Sequence, residues 1–85
     1  MANNTIMRKV TVTAVYAALN ASRLIGTVTI SCPPGNVGVV NFKGDDDSDV
    51  PWQPGEWHDF QSVDLSGIEI KGTAGDTVTI VGGTW

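Results

Sequence analysis

The chain reads as a small all-β protein, an antiparallel β-sandwich or barrel of about six short strands. Three observations lead there. First, apolar and polar residues alternate with period two in several short runs. The cleanest lie in the last third, where Ile68 and Ile70 oppose Glu69 and Lys71, and Val78 and Ile80 oppose Thr77 and Thr79. Second, glycine and proline signals such as Pro33-Pro34-Gly35-Asn36 and Pro54-Gly55-Glu56 punctuate those runs. Third, 85 residues with a single cysteine leave room for one domain with one small core and no internal disulfide, so the fold must stand on packing.

Taken in order, Met1 to Ile6 are polar apart from their ends and are expected to form an N-terminal arm, with residues 7–85 as the single sandwich domain. Arg8 to Val15 is the first strand, with Val10, Val12 and Ala14 inward. Tyr16 to Ser22 is a connection whose Ala17-Ala18-Leu19 fits an extension of the strand or one helical turn equally well. Arg23 to Cys32 is the second and longest strand, with Leu24, Val28, Ile30 and Cys32 on one face and Gly26 marking a bulge or a close backbone approach. Val39 to Lys43 follows with Val40 and Phe42 inward, and Gly44 opens the acidic loop Asp45-Asp46-Asp47-Ser48-Asp49. Pro51 and Pro54 bracket Trp52 in a turn-rich connection before a fourth strand, Trp57 to Val63. Asp64 to Gly67 leads into two last strands read as a hairpin, joined by Gly72 to Asp76 with glycines placed for positive φ and Asp76 able to bond nearby amides.

Charge narrows the function classes. The net charge is −4, and Arg8, Lys9, Arg23, Lys43 and Lys71 are scattered, so no basic stripe exists to neutralise phosphates and no nucleic-acid partner is expected. Arg8-Lys9 before Val10 to Leu19 superficially matches a signal peptide, but Thr11 and Thr13 interrupt the apolar run in a strand pattern. The run is also too short to span a bilayer. Synthesis in a cytoplasm without export is therefore expected, with no membrane partner and no glycan on Asn3 or Asn20.

Asp45, Asp47 and Asp49 alternate, and Glu56 follows at the spacing of a calcium loop. The match fails where geometry matters, because Val50 stands where the sharp turn needs glycine and Pro51 follows it. A solvated acidic loop is the expectation, with no metal and no other cofactor. His58 and its neighbour Asp59 point to opposite faces of a strand and cannot form a base-orienting pair. Cys32 lies among Val28 and Ile30 as a small buried hydrophobe. With no nucleophile elbow or phosphate-cradling loop present, no enzymatic activity and no catalytic residue is expected. The interface candidates are Trp52, Trp57 and Trp85, which lie outside or at the edges of the alternating runs. They suit a protein contact, a sugar platform, or a cap on the sandwich ends equally.

The order of features resembles the small β-sandwich structural proteins of tailed-phage virions. The resemblance spans most of the chain: the Lys9-Val10-Thr11-Val12-Thr13-Ala14 opening, Val28-Thr29-Ile30, Pro34-Gly35-Asn36-Val37-Gly38, Pro54-Gly55-Glu56, Asp64-Leu65-Ser66-Gly67-Ile68, and Ala74-Gly75-Asp76-Thr77-Val78-Thr79-Ile80. It implies a non-enzymatic virion component, a head decoration or cement protein binding the major capsid protein. An oligomer suits so small a domain, and a homotrimer around a capsid symmetry axis is expected. The competing classes are a carbohydrate- or receptor-binding module of a fibre and a head-tail connector or tail component.

Overall fold

A computed structural model describes residues 4–84. Eight strands occur in it: β1 Asn4–Thr11, β2 Ala17–Ala18, β3 Ile25–Ser31, β4 Val40–Lys43, β5 Val50–Trp52, β6 Trp57–Asp64, β7 Glu69–Lys71 and β8 Thr77–Thr84, with one 3₁₀ turn at Leu65–Gly67. They form two four-stranded antiparallel sheets. The long sheet has the order β1-β8-β3-β6, and the short sheet β2-β7-β4-β5. The pairings are nested: β1 lies on β8, β2 on β7, β3 on β6 and β4 on β5. The chain is thus one long hairpin, folded at the acidic loop and rolled up until β8 meets β3 and β7 meets β4. That is the jelly-roll form of the antiparallel sandwich.

The expected hairpin over Ser66 to Ile80 is not one. Strands β7 and β8 belong to different sheets, so Gly72 to Asp76 carries the chain across the sandwich. The inward residues are nevertheless those the alternation named, since Ile70, Val78 and Ile80 are all buried, the first from one sheet and the other two from the opposite one. Alternation is a property of a single strand and is blind to the partner. The crossing is held by Asp76, which is buried and whose carboxylate accepts from the amides of Val37 and Gly38 at 2.9 and 3.0 Å. Its carbonyl accepts from the Val12 amide at 2.8 Å. Beside it the Asn36 side chain both donates to the Thr77 carbonyl and accepts from the Thr77 amide, imitating a strand neighbour.

Other boundaries also move. Asn4 to Ile6, placed by the sequence in an arm, pair with β8, and Ile6 is buried in the core; residues 1–3 of that arm lie outside the described residues. The strand ends at Thr11, and Val12 stays buried while Ala14 is exposed. The reason is local: the Val12 amide bonds Asp76 and the Thr13 carbonyl accepts from Gly72, so the chain leaves its strand to join the crossing loop. Strand β3 is shorter than expected, at seven residues against eight in β1, β6 and β8. Its ladder with β6 shifts register between Gly26 and Val28, at the glycine expected to mark a bulge or a close backbone approach. Val50 to Trp52, read as a connection, is an edge strand, the place in a sheet where proline is tolerated.

The core lies between the sheets. Val28, Ile30, Val78 and Ile80 face it from the long sheet and Val40, Phe42 and Ile70 from the short one, with Leu65 of the 3₁₀ turn closing the space. Each such side chain contributes about 1.5–3 kcal/mol on burial. Trp52 joins them, its ring stacked on Phe42 at a centroid distance of 3.8 Å, with Phe60 6.2 Å away and the His58 edge at 4.6 Å.

Candidate interaction surface

Directly opposed residues of an antiparallel ladder share a face, so the registers map the outer surface of the long sheet. One row runs Lys9, Thr79, Ser31, Trp57, and the next runs Met7, Val81, Thr29, Asp59. Hydroxyls stitch the rows: Ser31 and Thr79 share a hydrogen bond of 2.6 Å, and the Thr29 hydroxyl donates to Asp59. Over this polar field stand three exposed apolar side chains, Met7 at 71%, Trp57 at 59% and Val81 at 49%. The surface offers apolar side chains among hydroxyls whose hydrogen bonds are met within the sheet.

Of the three tryptophans expected at an interface, the structure separates the two it describes. Trp52 is only 4% exposed and belongs to the core, because β5 turns it inward opposite Val40; it presents no ring to a partner. Trp57 is outward, and Trp85 lies outside the described residues. Met7 and Val81 were missed by the sequence reading. Their signal was a phase error: each is apolar at an outward position, Met7 beside inward Ile6 and Val81 after inward Ile80.

The acidic residues face different partners. The Tyr16 hydroxyl donates to Asp49, a bond that holds the phenol pKa up to about 12. The Lys43 ammonium lies 3.9 Å from each of the Asp47 and Glu69 carboxylates and 4.2 Å over the Tyr16 ring. The Ser48 amide bonds the Asp46 carboxylate, which lowers its pKa. Glu56, the twelfth position of the failed calcium pattern, instead bonds His58 at 2.7 Å and the Gln53 amide at 2.9 Å, and the His58 contact is the main cause of its lowered pKa. Among the described residues no three metal-ligating side chains converge.

His58 turns to Glu56 and Asp59 to Thr29, so the neighbours do not meet. Cys32 is 1% exposed; burial, then the charges of Glu56 and Asp76, push its thiol up to about 11, which suppresses the thiolate a nucleophile requires. A pocket of about 220 Å³ opens between β5 and β6, lined by Phe42, Val50, Trp52, Phe60 and Ile68 beside the Lys43-Gly44 turn. Its walls are almost wholly apolar. No helix among the described residues is long and apolar enough to cross a membrane.

No protein-family model matches the chain, and neither a curated protein nor a solved structure matches it.

Proposed function

We propose that the protein is a non-enzymatic structural component of a tailed-phage virion, a decoration or cement protein that binds the major capsid protein of the head as a homotrimer. The observation that carries this reading is the outer face of the long sheet, where Met7, Val81 and Trp57 stand exposed beside a bonded Ser31-Thr79 hydroxyl pair and a Thr29 hydroxyl bonded to Asp59. Such a face suits a contact between proteins, with an aromatic anchor at one end. The resemblance of the turn motifs to those of small virion sandwiches supports a capsid partner. The jelly roll is compatible, since viral capsid domains use it, although a fold by itself specifies no function.

The test is quantitative mass spectrometry of purified particles carrying the gene, followed by addition of the protein to shells lacking it. A copy number on the scale of the capsid lattice and saturable binding to bare shells are expected. Trp57→Ala is expected to weaken shell binding by about tenfold or more, a loss typical of an anchoring tryptophan. A copy number matching a single ring would move the assignment to a connector, and absence from particles would overturn the virion reading.

A second reading rests on the same Trp57 indole, which is free to stack on a sugar ring in a fold that lectin domains also use. Saturable quenching or a shift of indole emission on titration with host-surface glycans, abolished by Trp57→Ala, would favour the fibre module.

A further inference from the structure

The long sheet has two open edges, β1 on one side and β6 on the other. Open edges invite pairing with another chain, and proteins commonly guard them with charge. Here the guards have opposite signs. Strand β1 carries Arg8 and Lys9, two of the five lysines and arginines of the chain, and both are exposed. Strand β6 carries Asp59 at an exposed position, with Asp64 further along and Glu56 just before it. Glu56 is bound to His58 and Gln53, and Asp64 to Ser66 and the Leu24 amide. Among the described residues Asp59 has only the Thr29 hydroxyl and Lys9 makes no ion pair. Arg8 bonds only the neutral Asn20 side chain, so among the described residues the β1 edge holds two cations without an ion pair and the β6 edge holds Asp59.

Direction and face agree with sign. Every neighbouring pair in the long sheet is antiparallel, so in a four-stranded sheet the two edge strands run in opposite senses. A second copy placed beside the first in the same orientation therefore brings its β6 antiparallel to β1. The ladder continues without a break in pattern. Lys9 and Asp59 both project from the outer face, since Lys9 opposes Thr79 and Asp59 opposes Thr29. The alternatives are worse: β1 on β1 sets Arg8 and Lys9 against themselves, and β6 on β6 sets Asp59 and the imidazole-bound Glu56 against themselves. Like edges repel and unlike edges attract, which turns a guard into a selector.

We infer that copies of this chain associate head to tail, β1 of one against β6 of the next, with Lys9 paired to Asp59 across the junction. This is a heterologous contact, which closes into a ring when the rotation between copies allows it. It rests on the self-association in the reading above and is independent of the capsid as partner.

Cross-linking with a water-soluble carbodiimide tests the contact. The reagent joins the Lys9 amine to the Asp59 carboxyl as an amide, taking up the water that is lost and becoming a urea. Within one copy the two side chains start from opposite edges of the sheet, three strand spacings or about 14 Å apart, too far for a zero-length link. A Lys9–Asp59 peptide in the oligomer band is therefore intermolecular and is the expected product. Sedimentation of variants supplies the second readout. Lys9→Asp and Asp59→Lys are each expected to raise the dissociation constant by about tenfold or more, and the double variant, with the signs exchanged, to restore association. An oligomer that survives both single exchanges, or that gives no Lys9–Asp59 product, overturns the edge pairing while leaving self-association intact. A chain that is monomeric at every concentration overturns both, and shell binding by that monomer would still uphold the capsid partner.

Discussion

Asp76 is buried, and its carboxylate closes the amides of Val37 and Gly38 on a turn lying 39 and 38 positions away in the chain. An unsatisfied buried donor costs about 1–3 kcal/mol. Asp76→Ala removes the acceptor of two part-buried amides, one of them on the exposed Val37, and is therefore expected to destabilise the protein by about 1–3 kcal/mol, a sizeable part of the roughly 4–13 kcal/mol available to a domain of this length. Urea unfolding should show the midpoint falling with the slope unchanged. An unshifted midpoint would mean that the turn is held by Asn36 alone. The sequence foretold half of this contact. Aspartate beside a glycine loop announces an acceptor for backbone amides, but the expected amides were those of its own loop, because nothing in the local pattern points to a segment so distant. Trp52 fails in the same way: two flanking prolines describe a turn or an edge strand alike, and only the ladder to Val40 decides that the ring points inward.

At the scale of the element, inward faces were readable and partners were not. The alternations over Val28 to Cys32, Val40 to Phe42 and Val78 to Ile80 name buried residues correctly, since period two is fixed by strand geometry alone. Two alternating runs joined by a glycine-bearing loop look the same whether they pair with each other or face each other across a core, which is why β7 and β8 were read as a hairpin. Gly82 marks what the pairing demands. Strand β8 is interior to the long sheet and presses on β3, so a Cβ at position 82 would fall 2.1 Å from the Thr27 carbonyl oxygen and 2.7 Å from the Val28 Cα. Both obstacles include backbone, which cannot swing aside. Gly82→Ala is expected to cost about 3 kcal/mol or more through overpacking, with a thermal midpoint several degrees lower by calorimetry. Gly67→Ala, where no atom lies within 4 Å, serves as the neutral comparison.

The whole molecule is a set of nested closures. Of the four nested pairs only β4 and β5 are consecutive in the chain; each outer pair closes over everything inside it, up to Asn4 against Thr84. Loop-closure entropy must be met before such distant contacts give anything back, and sandwiches with this character fold in milliseconds to seconds. Stopped-flow refolding from urea is expected in that range, and a sub-millisecond phase carrying the full amplitude would contradict the nested order. The same nesting has a consequence for protein architecture. Because Asn4 and Thr84 are cross-strand partners, the chain enters and leaves the described fold about 5 Å apart. A host protein could open a surface loop by little more than that width and take up the whole jelly roll as a side branch, its own backbone scarcely displaced.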